Sequence, residues 1–68
     1  MNIKRFLKKE KITQKELSER SKTTLRTINV IVNRRRKDTS LKTAVAIEEA
    51  TDGKITCKDI YNYLINGS

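Results

Sequence analysis

Apolar residues recur along the chain at the spacing of α-helices. Ile3, Phe6 and Leu7 lie at positions i, i+3 and i+4, which places their side chains on one face of a helix. This pattern predicts a short first helix with its basic residues outward, and it breaks near Lys11. The 68 residues include no proline and two glycines. We therefore expect an all-α fold, a single compact domain of four or five helices over residues 1–68.

Two segments begin with residues that typically start a helix. Thr13 stands three positions before Glu16, and Thr56 stands three positions before Asp59. In such a capping box the threonine oxygen accepts from the backbone N–H of the acidic residue, whose carboxylate reaches back to the threonine N–H. The flanking apolar residues have the spacing of a hydrophobic staple: Ile12 with Leu17, and Ile55 with Ile60.

A further helix is predicted to begin after Thr39 or Ser40. Its mostly small apolar side chains surround much of its circumference, which is typical of a helix with neighbours on several sides. They are Leu41, Ala44, Val45, Ala46, Ile47 and Ala50. Gly53 is suited to the left-handed conformation that closes a helix, so we expect this helix to end there.

Residues 25–36, placed on a helical wheel at about 100° per residue, separate into two faces. Ile28 and Ile31 form one face and predict a small contact with the core. The opposite face carries Leu25, Arg26, Asn29, Asn33 and, if the helix extends that far, Arg36. Arginine and asparagine can make bidentate contacts with guanine and adenine in a major groove. This face therefore has the chemistry of a DNA-reading surface.

An ordinary solvated surface is the competing interpretation of these polar residues. Asparagine is a poor helix former, however, and an inert helical surface favours Glu, Lys or Gln. Thr23 or Thr24 is expected to cap the helix, and no acid occupies its first turn, where the helix dipole would stabilise one. An N-terminus without an acid suits a DNA phosphate.

Charge is distributed unevenly along the chain. Residues 1–37 hold 13 bases and 3 acids, a net charge of +10, whereas residues 38–68 hold 3 bases and 5 acids, a net charge of −2. Residues 20–37 contain seven bases and no acid. A run without compensating carboxylates favours an anionic partner, and nucleic acid in particular. The chain has no tryptophan and a single phenylalanine to anchor a membrane-surface helix, and no transmembrane run or secretory signal, so we expect no membrane partner and a cytoplasmic, nucleoid-associated protein.

Several kinds of catalytic site are excluded by composition. Cys57 is the single cysteine and there is no histidine, which rules out a Cys/His nucleophilic pair, a zinc site of Cys and His, and an intrachain disulfide. Glu48 and Glu49 are adjacent but point in different directions on a helix, so they do not form a catalytic carboxylate pair. We expect a binding module with no cofactor, no small-molecule substrate and no enzymatic activity.

The segment from Gln14 to Asn33 resembles the helix-turn-helix of the phage Cro and repressor family, also called the xenobiotic-response-element type. Gln14 opens the first motif helix, and Leu17, Ser18, Ile28 and Ile31 occupy inner positions. The segment "ATDGKITCKDI" is similar to the ending of small Cro-like proteins, so the resemblance covers most of the chain. It implies that the second motif helix lies in the major groove and that dimers bind half-sites about one helical turn apart.

The resemblance also implies roles for individual residues of this chain. Base edges would be contacted by Leu25, Arg26, Asn29 and Val30, the last of these at a thymine methyl group. Backbone phosphates would be contacted by Gln14, Lys15, Lys22, Thr24, Asn33, Arg34, Arg35, Arg36 and Lys37. The family usually places glycine in the turn, where this chain has Lys22 between Ser21 and Thr23. Lys22 is therefore expected to adopt a turn conformation that costs about 1 kcal/mol for a residue with a Cβ.

The last segment carries more apolar residues than one core-facing stripe requires. Tyr61, Tyr63, Leu64 and Ile65 follow one another closely after Ile60. Packing in a shallow groove of the same molecule and contact with a second copy or a partner explain this equally well. We take the second as the working hypothesis and assign these four residues to a dimer or partner contact.

Three functions remain open at this stage. The preferred one is a sequence-specific transcriptional regulator, a Cro-like phage or prophage repressor that binds a palindromic operator in double-stranded DNA as a homodimer and occludes a promoter. The alternative is an antitoxin or recombination-accessory protein that binds DNA and docks a protein through its C-terminal apolar face. A small RNA-binding protein is disfavoured, because RNA recognition commonly uses exposed aromatic residues and both tyrosines lie in the acidic half.

Overall fold

The computed structural model describes residues 1–67, which form five helices and no strand. The helices are α1 (Ile3–Glu10), α2 (Gln14–Arg20), α3 (Leu25–Val32), α4 (Leu41–Ala50) and α5 (Cys57–Asn66). This confirms the all-α fold expected from the periodicity. No helix within residues 1–67 has the length and apolarity needed to cross a bilayer.

Every helix begins at a side chain that accepts a hydrogen bond from the third helical residue. The capping residues are Asn2, Thr13, Thr24, Ser40 and Thr56. The structure therefore resolves the two alternatives left by the sequence, because Thr24 caps α3 and Ser40 caps α4. Such a cap satisfies a backbone donor that the helix leaves without a partner, and it contributes about 1 kcal/mol.

The two predicted capping boxes differ in the structure. The box of α5 is complete: Oγ1 of Thr56 accepts from the Asp59 N–H at 3.0 Å, and Oδ2 of Asp59 accepts from the Thr56 N–H at 3.0 Å. This backbone hydrogen bond is the main reason that the pKa of Asp59 is lowered from its ordinary value. At α2 the Thr13 half is formed, whereas the Glu16 carboxylate approaches Arg20 at 3.6 Å.

The core is built from one face of each helix. Its buried members are Ile3, Phe6, Leu17, Ile28, Ile31, Ala44, Ile47, Ile55, Ile60, Tyr63 and Leu64. Both staple residues before the capped helices join this cluster, Ile55 as a fully buried member and Ile12 at its edge. Because α2 packs mainly on α3, and α4 packs on both α2 and α5, the N-terminal and C-terminal halves share one core.

Helix α4 ends at Ala50, and Gly53 shortly after it adopts the expected left-handed conformation. Asp52 adopts a left-handed conformation with φ of 54°, and Gly53 follows with φ of 79°. The N–H of Gly53 donates to the Glu48 carbonyl at 2.9 Å. The buried hydroxyl of Thr51 donates to the Ile47 carbonyl at 2.9 Å and accepts from the Ile55 N–H at 3.1 Å. This side chain ties the end of α4 to the segment that leads into α5.

Candidate nucleic-acid interface

Helices α2 and α3 form a helix-turn-helix whose turn contains no glycine. Lys22 adopts φ of 56°, as expected from its position in the motif. The buried hydroxyl of Ser21 donates to the Leu17 carbonyl at 2.7 Å and lies 3.0 Å from the Thr23 hydroxyl. The Thr23 N–H donates to the Ser18 carbonyl at 2.9 Å. These hydrogen bonds hold the turn in which Lys22 keeps its left-handed conformation.

Helix α3 has the two faces expected from the wheel. Ile28 and Ile31 are buried in the core, whereas Leu25 is 48% exposed and Arg26 is exposed beside it. Asn29 and Val30 are half-buried at the margin. The first turn of α3 contains no acid. A side rich in hydrogen-bonding groups therefore faces away from the core, next to an uncompensated positive helix end.

Arg36 does not join this face, because the helix does not extend that far. Helix α3 ends at Val32 with Asn33 as its cap, and Arg34 then turns into a left-handed conformation with φ of 52°. The N–H of Arg35 donates to the Val30 carbonyl at 3.0 Å, which closes the helix. Arg36 accordingly belongs to the loop before α4. The loop still returns to α3, because Arg35 and Arg36 line a cleft with Arg26 and Asn29.

Asn29 has a partner that the sequence analysis did not anticipate. Its Nδ2 donates to Oε1 of Gln14 at 3.2 Å, so the first residue of α2 is linked to the middle of α3. Both side chains are half-buried. The residues are 15 positions apart, and no local pattern marks such a pair. The structure therefore brings one residue assigned to phosphate together with one assigned to a base.

The remaining residues assigned to phosphate differ in their surroundings. Lys15, Lys22, Asn33, Arg35, Arg36 and Lys37 are exposed. Thr24 is exposed as well, but its hydroxyl caps α3 and lies 2.9 Å from the Thr27 hydroxyl. The Arg34 guanidinium lies over the Tyr63 ring, 5.4 Å from its centroid, a cation–π arrangement that directs it towards α5.

Two of the four residues assigned to a dimer contact lie in the core instead. Tyr63 is 4% exposed and Leu64 is 6% exposed. The Tyr63 hydroxyl donates to the Val32 carbonyl at 2.5 Å, which gives its polar group a partner inside the molecule. Burial follows from the large apolar area of these side chains and from the space between α3 and α5. Tyr61 and Ile65 remain exposed on the outer side of α5.

Cys57 lies at the first position of α5 as a half-buried free thiol. Its N–H donates to Oε1 of Glu48 at 2.8 Å. Burial, with the Glu48 carboxylate as the second cause, raises the pKa of the thiol above its ordinary value. Cys57 packs against the edge of the core. Within residues 1–67 no three Cys, Asp or Glu side chains approach closely enough to share a metal ion.

The chain was compared with curated proteins, solved structures and protein-family models, and the family comparison agrees with this geometry. No curated protein and no solved structure matches the chain. A family model described as helix-turn-helix matches residues 3–56, which include α1, the motif, the basic loop and α4. The match covers well over half of the 68 residues. The chain therefore belongs to the Cro/C1-type helix-turn-helix family of DNA-binding regulators.

Proposed function

We propose that this protein is a sequence-specific repressor that binds a palindromic operator as a homodimer and occludes a promoter. The observation that carries the proposal is the two-faced helix α3. Its apolar side is anchored in the core by Ile28 and Ile31, and its other side presents Arg26 and Asn29 beside a basic loop. A rigidly held helix with such side chains outward is the geometry of major-groove recognition.

Arg26 and Asn29 supply complementary base preferences. The Arg26 guanidinium can donate two hydrogen bonds to O6 and N7 of guanine. An asparagine amide reads adenine with its oxygen and one N–H. Gln14 accepts a hydrogen bond from Nδ2 of Asn29 and so uses one of the two N–H groups of that amide. The Oδ1 atom and the second N–H of Asn29 remain for a base. The Gln14 amide N–H groups are then directed to a neighbouring phosphate, which couples the position of α2 on the backbone to the base contact.

The phosphate contacts are assigned to the residues around α3. The N-terminus of α3 has no acid in its first turn and has Lys22 nearby in the preceding turn, so it favours an anion. On the other side of the helix, Arg35, Arg36 and Lys37 form an exposed basic loop. Phosphate contacts on both sides would fix the register of α3 in the groove without sequence preference.

The size of the molecule is compatible with two copies on adjacent half-sites. Half-sites in this class lie roughly 34 Å apart. The longest Cα extent is 24 Å, and copies with this dimension along the DNA would leave roughly 10 Å between their backbones. Side chains from both copies are long enough to meet across such a gap. A dimer contact is therefore expected to be small and to lie beside the DNA-facing surface.

Selection from a random duplex pool at about 150 mM salt tests the proposal, because this salt concentration suppresses binding through phosphates alone. We expect enrichment of an inverted repeat with half-sites near one helical turn apart. Arg26→Ala and Asn29→Ala should each cost about 1–3 kcal/mol on the selected site and relax preference at one position. The proposal fails if no sequence is enriched, or if both variants lose the same affinity on selected and random duplexes.

A further inference from the structure

Helix α4 has a second apolar face that no part of residues 1–67 covers. Leu41 is 74% exposed and Val45 is 37% exposed, although Ala44 and Ile47 on the other side of the helix are buried. Leu41 and Val45 line a shallow groove together with Lys42, Ala46 and Glu49. We call these five residues the α4 stripe. An apolar stripe flanked by one base and one acid, two helical turns apart, is unusual for a purely solvated surface.

The charges of the α4 stripe are complementary to those of a second α4 stripe that runs in the opposite direction. A two-fold axis between Val45 and Ala46 places residue 42 opposite residue 49, because both are 3.5 positions from the axis. Lys42 of one copy would then face Glu49 of the other. The two-fold axis generates the same pair a second time, with the two copies exchanged. The same operation brings Val45 and Ala46 of both copies close to the axis, where they can pack. An interface formed by one patch on both copies must have this property.

We propose that two copies of this chain associate through antiparallel packing of their α4 stripes. Charge supports a second copy as the occupant. Residues 1–37 carry +10, so contact through that half would bring like charges together, whereas residues 38–68 carry −2 in total. In the α4 stripe the charges are also distributed so that each base meets an acid. Glycine is absent from α4, and its capped first turn keeps the face rigid.

The position of the stripe suits a dimer on DNA, and in this respect the inference rests on the proposed function. Ser40 and Thr43 of α4 line the cleft next to α3, together with Arg26 and Asn29. Thr43 follows Lys42 by one residue and is therefore about 100° further around the helix. The α4 stripe is thus directed sideways when the cleft faces DNA. A copy bound there leaves both recognition helices uncovered.

The charge pattern allows a test by reversal, carried out on the full chain without DNA. Lys42→Glu places two pairs of like charges at the interface, and Glu49→Lys does the same with the opposite sign. Each variant should associate about tenfold more weakly than the natural chain in sedimentation equilibrium at high protein concentration. An equimolar mixture of the two variants should form heterodimers, because every pair is again one base and one acid. The double variant Lys42→Glu, Glu49→Lys should recover self-association.

Weaker association of the two reversal variants is not expected to arise from unfolding. An acid at position 42 near the start of α4 and a base at position 49 near its end are both favoured by the helix dipole. Circular dichroism should therefore show unchanged helicity. Lys58→Glu, at an exposed position of α5, makes the same charge change outside the stripe and should leave association unaltered.

Two outcomes would overturn the inference. The first is that both single reversals associate as strongly as the natural chain, or that their mixture shows no heterodimer. The second is that Tyr61→Lys abolishes association while Leu41→Lys does not, which would place the contact on α5. Binding of the two single reversal variants to a duplex with one half-site separates the two proposals. If that binding persists while dimerisation does not follow the charges, the α4 stripe is wrong and DNA recognition stands.

Discussion

At the scale of single residues, the turn of the motif carries a side chain at a position where glycine is the usual residue. Lys22 occupies the left-handed position of the motif turn, where glycine would carry no steric penalty. Ser21 and Thr23 hold the turn with their hydroxyl groups. Gln14 and Asn29 form one hydrogen-bonded unit, so the base recognition that we propose for α3 depends on the position of α2. The motif thus contains both a strained turn residue, Lys22, and a hydrogen bond between residues of its two helices.

Relief of the turn strain is testable at Lys22. Lys22→Gly should raise the free energy of unfolding by about 1 kcal/mol, because glycine adopts a positive φ without the Cβ clash. Lys22→Ala is the matched control, since it removes the same charge and keeps the Cβ. Urea denaturation of both variants measures the difference. Equal stability of the glycine and alanine variants would show that the turn is not strained at this position.

At the scale of elements, α3 is held at both of its ends. Its start is capped by Thr24, and its last carbonyl, that of Val32, accepts from the Tyr63 hydroxyl of α5 at 2.5 Å. Arg34 lies over the ring of the same tyrosine. A residue initially assigned to a dimer contact is therefore the link that connects the end of the recognition helix to the C-terminal helix.

Removal of this hydroxyl should destabilise the protein measurably. Tyr63→Phe keeps the packed ring but leaves the Val32 carbonyl without its partner, which we expect to cost about 1–2 kcal/mol. Tyr61→Phe removes a hydroxyl from a side chain that is 61% exposed, and it should change stability little. The midpoint of urea denaturation measures both. A Tyr63→Phe midpoint equal to that of Tyr61→Phe would mean that water replaces the tyrosine at the helix end.

At the scale of the whole molecule, charge is separated into two regions with different tasks. The half with net +10 contains the motif and the basic loop, and the half with net −2 contains the α4 stripe and α5. This separation leaves the excess positive charge in the half that contains the motif, and such charge increases the rate of encounter with DNA. It also gives the opposite half a much smaller net charge, so that association of two copies through that half meets far less repulsion.

The separation predicts a difference in salt dependence between variants. Arg35→Ala should reduce the slope of log affinity against log salt by about 1, because one phosphate contact and its released counterion are lost. Lys58→Ala removes the same charge from the C-terminal half and should leave the slope unchanged. Both slopes are measured by fluorescence anisotropy on one selected duplex. Equal changes in the two variants would mean that net charge, and not the basic loop, governs binding.

The sequence alone determined the features that arise within one or two helical turns. Caps such as Thr56 with Asp59, and the separation of Ile28 and Ile31 from Arg26, depend on residues three or four positions apart, so local patterns predict them. The family assignment follows from the same local features, which is why the expected fold is confirmed.

Only the tertiary structure decided which side of an element is covered and which distant residues meet. Apolar residues surround most of α4, and the sequence does not show that Leu41 and Val45 are the ones left exposed. In α5, conversely, Tyr63 and Leu64 were predicted to form an exposed contact and are buried in the core. The link between Gln14 and Asn29 and the one between Tyr63 and Val32 span 15 and 31 positions. Such contacts depend on how helices pack against one another, and packing is a property of the whole core that no local pattern contains.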